Sequence, residues 1–169
     1  DTSVGYLQAF QGNTTAAKNE FEEALGILRQ VAPPGHPSAL SAMNNLWGVL
    51  LQLGRYRESE SLERSLLDEK RRVIGSESVP VAITWGNLGT VLAHVGKHDE
   101  AEIAFGNAHT LFVKLLGREH IHVANAARNL ARIRLLRGDN ARAAQWFREA
   151  IEVHRKVDGT GANYWFLRG

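Results

Sequence analysis

The sequence predicts an all-α solenoid of about four stacked antiparallel helix pairs, and recurring columns of residues carry that prediction. Gly12, Gly54, Gly96 and Gly138 each follow the previous one by 42 residues. Asn-Leu steps that begin at positions 45, 87 and 129 keep the same period, as do glycines at positions 75, 117 and 159. A fixed period of this length is the signature of a stacked repeat array. Because one helix pair cannot bury its apolar faces alone, neighbouring pairs must stack.

The predicted helices follow from the residues that begin and end them. Glycine supplies the positive φ that closes a helix at each repeated turn, and Pro33 cannot continue a helical backbone. Side-chain oxygens of the Asn13-Thr14-Thr15 segment, of Ser38 and of Asp99 are expected to cap three of the helix N-termini. Apolar residues at helical spacing mark the buried faces. The predicted helices are Thr15–Val31, Ser38–Leu53, Tyr56–Ile74, Val81–Val95, Asp99–Leu116, Ile121–Arg137 and Asp139–Val157.

The repeat phase also predicts the boundaries of the units. They fall at about 1–37, 38–79, 80–121 and 122–161, and residues 162–169 begin a further unit or form a capping segment. Residue 1 lies inside a unit in this phase, so we expect the chain to be a fragment of something longer.

Some positions depart from the repeat. Gly89 and Ala131 belong to a column of small residues, expected where two helices cross closely, but Trp47 occupies the same column. Glu63 stands where other units place a phenylalanine such as Phe105. We therefore expect packing around Trp47 to differ from that in the later units.

Composition narrows the functional classes. The chain has 44% apolar and 22% charged residues, which is normal for a folded globular protein, and its net charge of +2 does not indicate nucleic-acid binding. It contains no cysteine, which excludes disulfides, thiolate metal sites and a thiol nucleophile and suits a reducing compartment. No apolar run approaches the roughly 18 residues of a membrane span. We expect a cytoplasmic location, with neither a membrane nor a nucleic-acid partner.

The repeated columns resemble the tetratricopeptide repeat. The standard unit has about 34 residues, so the longer period here adds about two helical turns. Asn44-Asn45-Leu46 and Gly35-His36-Pro37 resemble the longer units of kinesin light chains and of many bacterial signalling proteins. The resemblance implies a right-handed superhelix. The third unit matches best, through Trp85, Leu88, Gly89, Gly96, Ala101, Phe105 and Ala108.

No catalytic constellation is recognisable, and we predict no catalytic residue, no metal ion and no cofactor. His120 and His122 could begin a metal site, because imidazole is a common ligand. A third ligand at a recognised spacing is missing, however, and His36 recurs at the position of His120 as a residue between units.

The resemblance implies a non-catalytic module that binds a peptide on the concave surface formed by the first helix of each unit. The Asn45, Asn87 and Asn129 amides either pair with a peptide backbone or bond to a neighbouring helix. Arg128 and Arg132 lie four residues apart, so they either grip an acidic group together or form a solvated basic face. The candidate residues are Tyr6, Phe10, Asn44, Asn45, Gln52, Asn87, Thr90, His94, Asn125, Arg128, Asn129 and Arg132.

Two other functions stay open. The chain could be the regulatory or targeting region of a larger signalling enzyme, or a structural spacer that assembles with itself through its terminal units. Tyr164, Trp165 and Phe166 either pack against the last unit or form an exposed apolar patch for such self-association.

Overall fold

The computed structural model describes residues 13–157, and within this range the secondary structure is α-helical with no strand. The all-α prediction is confirmed, and each predicted helix boundary lies within two residues of the observed one. None of the helices formed by these residues is long and apolar enough to cross a membrane. The helices are α1 (Thr14–Val31), α2 (Pro37–Gln52), α3 (Tyr56–Ile74), α4 (Val79–His94), α5 (His98–Leu116), α6 (Ile121–Leu136) and α7 (Asn140–Val157).

The described residues form two compact units. The first contains residues 13–76 and 94–96, and the second contains residues 77–93 and 97–157. The four boundaries predicted from the repeat phase are finer than this division and stay a prediction.

In the first unit, α2 packs against both α1 and α3. Phe21 and Leu25 of α1 meet Leu46 and Leu50 of α2 and Leu66 of α3 in one buried cluster. These residues recur at helical spacing on each element, which is why each helix presents one apolar stripe to its neighbours.

In the second unit, α6 packs against both α5 and α7. Gly89 on α4 lies against the ring of Phe105 on α5, and a Cβ atom added at Gly89 would lie only 2.7 Å from Phe105 Cδ1. Ala101, Ala131 and Ala143 are completely buried. The small residues predicted from the repeat columns are therefore buried residues, and Gly89 permits a close helix crossing.

The first unit places a different pair of residues at the equivalent positions. Glu63, in the phenylalanine slot, is completely buried, and Trp47, in the small-residue slot, is half-buried. Burial lowers the pKa of the neighbouring Lys70, and the negative charge of Glu63 partly opposes that effect. The first unit therefore carries the aromatic residue of these two positions on the first helix of the pair, and the second unit carries it on the second helix.

Two of the three predicted helix caps are wrong. Asn13 Oδ1 accepts a hydrogen bond from the Ala16 N–H at 3.4 Å, as predicted. Helix α2 is capped by His36, whose Nδ1 accepts from the Ser38 N–H at 3.2 Å, and Ser38 is not the cap. Helix α5 follows Lys97 without a side-chain cap, and Asp99 lies inside its first turn.

The cap of α2 recurs at α6. His120 Nδ1 accepts a hydrogen bond from the His122 N–H at 3.2 Å. The histidine that recurs between units is therefore a helix cap, a role that usual cap preferences do not suggest because they favour Ser, Thr, Asp and Asn.

The contact between Gly89 and Phe105 leads to a stability prediction. Gly89→Ala should lower the free energy of unfolding by about 1–3 kcal/mol, because the added methyl group overpacks the crossing. Gly106→Ala is the matched control, since a Cβ atom there meets nothing within 4 Å. That control should raise the free energy by up to about 1 kcal/mol, because alanine favours the helix more than glycine does. Urea denaturation of both variants would contradict the close crossing if their stabilities changed alike.

Candidate functional site

A groove of about 250 Å³ lies between α4 and α6 in the second unit, and we name it the α4–α6 groove. Phe105, Ala108 and Phe112 of α5 form its floor, so the base is apolar. The helices on either side place mostly polar side chains on its walls. The wall residues are Ile83, Gly86, Asn87 and Thr90 of α4, and His122, Asn125, Ala126 and Asn129 of α6.

Four predicted peptide-binding residues meet in this groove. Asn87 and Thr90 lie three residues apart on α4, and Asn125 and Asn129 lie four apart on α6, so each pair shares a helix face. Among residues 13–157, none of the three asparagine side chains makes a hydrogen bond to the protein. Their amide groups are therefore available to a ligand as both donors and acceptors.

The hydroxyl group of Thr90 already donates a hydrogen bond within α4. Its Oγ1 donates a hydrogen bond to the Gly86 carbonyl at 3.0 Å, one turn earlier on α4. The hydroxyl oxygen keeps acceptor capacity, so Thr90 can accept a ligand N–H but has already used its own proton.

The spacing of His122 from His120 suggests a metal ligand, but the structure places His122 in the groove. Its ring stacks on Phe112 with 4.9 Å between ring centroids, and His120 lies 5.1 Å away. Burial, and secondly the neighbouring His120, lower the pKa of His122, which favours a neutral ring at pH 7. The sequence spacing could have identified His122 as a groove residue. It lies three residues from Asn125, so both lie on one face of α6.

Arg128 and Arg132 do not line the groove, but they extend the same face of α6. Arg128 is half-buried and Arg132 is exposed. Burial, and secondly the positive charge of Arg132, lower the pKa of the Arg128 guanidinium. Neither arginine forms an ion pair with another residue in the range 13–157.

The other two arginines at the end of this helix are already paired. Arg134 pairs with Glu102, and Arg137 Nη1 lies 2.8 Å from Glu102 Oε2. The arginines of this helix therefore fall into two groups. Arg134 and Arg137 pair with α5, whereas Arg128 and Arg132 have no such partner among residues 13–157.

The remaining candidates lie elsewhere. Asn44, Asn45 and Gln52 line a separate cavity of about 200 Å³ in the first unit, beside Phe21 and Trp47.

His94 belongs to the first unit and does not line the α4–α6 groove. Its ring stacks on that of Tyr56, with 4.7 Å between centroids and an interplanar angle of 5°. The predicted residues Tyr6 and Phe10, and the aromatic cluster at Tyr164, Trp165 and Phe166, lie outside the described residues.

The α4–α6 groove combines an apolar floor with mostly polar walls. Residues 13–157 contain no group of three or more His, Asp or Glu side chains placed to hold a metal ion. An apolar floor between amide-bearing walls suits an extended peptide, whose backbone needs paired donors and acceptors while its side chains need apolar contacts.

The 42-residue period, the antiparallel helix pairs and the groove between first helices define a helix-pair repeat protein. Residues 39–79 and residues 80–156 each match the tetratricopeptide repeat. The chain therefore belongs to the tetratricopeptide repeat family.

The curated relatives are much longer proteins. The clustered mitochondria protein homologue of Meyerozyma guilliermondii is 28% identical over 107 residues, which cover 63% of this chain and 8% of that protein. The homologue of Aspergillus oryzae is 26% identical over 124 residues, covering 70% of this chain and 10% of the relative. The chain thus spans about a tenth or less of the length of these relatives.

Solved structures share the fold at low sequence identity. BtubC (BKLC) of P. vanneervenii has a TM-score of 0.86 and 21% identity, covering 96% of this chain and 65% of that one. A putative kinesin light chain of Podospora anserina has a TM-score of 0.80 and 18% identity, and the match covers 92% of this chain and 74% of that one. A Rap protein complexed with competence and sporulation factor has a TM-score of 0.77 and 18% identity, and the match covers 93% of this chain and 42% of that one. The fold that the tetratricopeptide resemblance predicts is confirmed, and a putative kinesin light chain is among the proteins that share it.

The environment of His122 leads to a prediction about pH. Its folded-state pKa is below the ordinary value of 6.5, so the unfolded chain takes up the proton first. The stabilising effect of the neutral ring is fully present above that value and is lost as the pH falls below it. Urea denaturation at about pH 7.5 and about pH 5 should show a larger loss of stability in the native chain than in His122→Gln. Equal losses in the two proteins would contradict this assignment.

Proposed function

We propose that this chain is a non-catalytic protein-interaction module whose α4–α6 groove binds an extended peptide segment carrying an acidic residue. The observation that carries the proposal is the set of three asparagine amides around an aromatic floor, none hydrogen-bonded to another described residue. A peptide backbone offers one donor and one acceptor at nearly every residue, and side-chain amides match both.

The basic end of α6 supports the acidic feature. Arg132 lies seven residues beyond Asn125, or about 10 Å along the helix axis. An extended peptide covers that distance in about three residues, at about 3.3 Å each. A peptide whose backbone bonds to Asn125 would therefore place an acidic side chain near Arg128 and Arg132 about three residues away.

A carboxylate at this point would be held by charge-assisted hydrogen bonds. Burial, and secondly repulsion from Arg132, lower the pKa of Arg128, and a carboxylate would offset that repulsion. Guanidinium groups bind carboxylates and phosphates in a two-pronged geometry that lysine cannot match.

Among the structural relatives, the Rap protein was solved with competence and sporulation factor bound. That protein shows the same fold in a complex, which supports a binding role for this chain. A cytoplasmic location, the absence of nucleic-acid and membrane partners, and self-association through terminal units stay predictions.

A second candidate is a targeting region that acts inside a larger protein. The observation that favours it is the length of the clustered mitochondria protein homologues, of which this chain covers 8–10%. Peptide binding by the α4–α6 groove is compatible with either setting.

The test is a peptide array followed by binding titrations at low salt. Arg128→Glu with Arg132→Glu should weaken acidic peptides at least about tenfold, because each charge-assisted hydrogen bond contributes about 1.5–3 kcal/mol. Asn87→Ala with Asn129→Ala should weaken acidic and neutral peptides alike, since these residues contact the backbone.

The matched control is Arg118→Glu with Arg148→Glu, which changes the net charge equally at two exposed positions away from the groove. It should leave the affinities within about twofold. If this control weakened binding as much as the Arg128 and Arg132 variant, the effect would be general charge and the specific acidic site would be excluded.

A further inference from the structure

The first unit contains a second concavity on different helices. It lies between α1 and α3 and has a volume of about 560 Å³, and we name it the α1–α3 crevice. Leu25, Leu46, Leu50 and Leu62 give it an apolar floor. Ligand sites commonly have volumes of about 300–1,000 Å³, so the crevice is large enough for a partner side chain and its neighbours.

The repeat shows what fills the same position in the second unit. Two periods further along the chain, Leu25 corresponds to His109, Leu62 to Trp146 and Ser65 to Glu149. His109 Nε2 lies 2.8 Å from Glu149 Oε1, and the ring of His109 meets that of Trp146 edge to face at 5.1 Å. In the second unit an aromatic ring and a carboxylate of α7 are therefore joined to a side chain of α5.

The first unit lacks this bridge because its residues are smaller. Ser65 is too short to reach across, and Leu62 replaces a tryptophan. Gly26 has no side chain, and a Cβ atom added there would meet nothing within 4 Å. Residues 13–76 of the first unit therefore leave open the space that Trp146 and Glu149 help to fill in the second unit.

The charges around the crevice favour an acidic occupant. Arg29 on α1 and Arg57 on α3 line its two sides, and neither forms an ion pair with another residue in the range 13–157. Glu22 and Glu58 also line it, but each forms an ion pair with a basic residue three or four positions away. The crevice thus presents two uncommitted guanidinium groups beside a leucine floor.

We propose that the α1–α3 crevice binds a partner helix that supplies an aromatic side chain and a carboxylate three residues apart, as Trp146 and Glu149 do in the second unit. The aromatic ring packs on the leucine floor, and the carboxylate bonds to Arg29 or Arg57. Residues three apart lie on the same face of a helix, so one short helical segment can deliver both groups. From Arg57 to Ser65 the crevice wall runs about 12 Å, or about two helical turns.

This site is independent of the α4–α6 groove, because it uses different helices in a different unit. The probe is an alanine-rich 12-residue helical peptide with one tryptophan and one glutamate three residues apart, and its twin carries lysine in place of the glutamate. Titration into the isotope-labelled chain should shift the backbone amide signals of Gly26 and Ser61. The glutamate peptide should bind at least about tenfold more tightly than its twin, because only it pairs with the arginines.

Three variants test the mechanism. The triple change Leu25→His, Leu62→Trp and Ser65→Glu copies the second unit and should abolish the shifts. Gly26→Leu should also block binding while keeping the helix, since leucine has the higher helix propensity and the space is open. Arg29→Glu with Arg57→Glu should reverse the preference between the two peptides, and Arg128→Glu with Arg132→Glu should leave it unchanged.

The proposal is overturned if the glutamate peptide produces no shift at Gly26 and Ser61, or if both peptides bind equally. It is also overturned if the shifts persist in a Gly26→Leu chain whose thermal unfolding shows that it is folded. If acidic peptides lose binding only in the Arg128→Glu, Arg132→Glu variant, that result bears on the α4–α6 groove and not on this crevice.

Discussion

Close packing of α4 against α5 depends on points where a side chain of one helix lies directly against the backbone of the other. The ring of Phe105 over Gly89 is the clearest example, because even a methyl group at Gly89 would overlap it. This contact lies beside the α4–α6 groove, whose floor includes Phe105 and Phe112. The shape of the candidate binding surface therefore depends on a residue that offers no side chain at all.

The 42-residue period places equivalent residues of successive units on the same surface. Because Asn87 and Asn129 are one repeat apart, they occupy equivalent faces of α4 and α6 and line the same groove. The same logic makes exceptions informative. Trp47 stands where later units have a small residue, and Glu63 stands where they have a phenylalanine. Leu62 and Ser65 of the described first unit leave open the space that Trp146 and Glu149 help to fill in the second. Variation at fixed repeat positions thus produces different surfaces on one scaffold.

Local signals explain how far the sequence could predict the fold. Turn glycines such as Gly54 and Gly96 adopt positive φ, so they marked helix ends within two residues. The predictions of helix caps at Ser38 and Asp99 were wrong. The imidazole of His36 caps α2, and α5 begins after Lys97 without a side-chain cap.

The candidate site was less predictable, because its properties come from contacts between helices. Sequence spacing placed Arg128 and Arg134 on one basic helix, and only the tertiary structure shows that Arg134 is paired with Glu102 on α5. Likewise, His122 becomes a groove residue through its stacking on Phe112, a contact between residues ten positions apart on two helices.

The measurement that tests the central claim most directly is an NMR titration that follows the side-chain NH₂ signals of Asn87, Asn125 and Asn129. An acidic peptide selected for binding to the native chain should move all three signals together, with one dissociation constant. If the peptide binds while these three signals stay in place, recognition does not use the amides of the α4–α6 groove, and the proposed mode of peptide binding is contradicted.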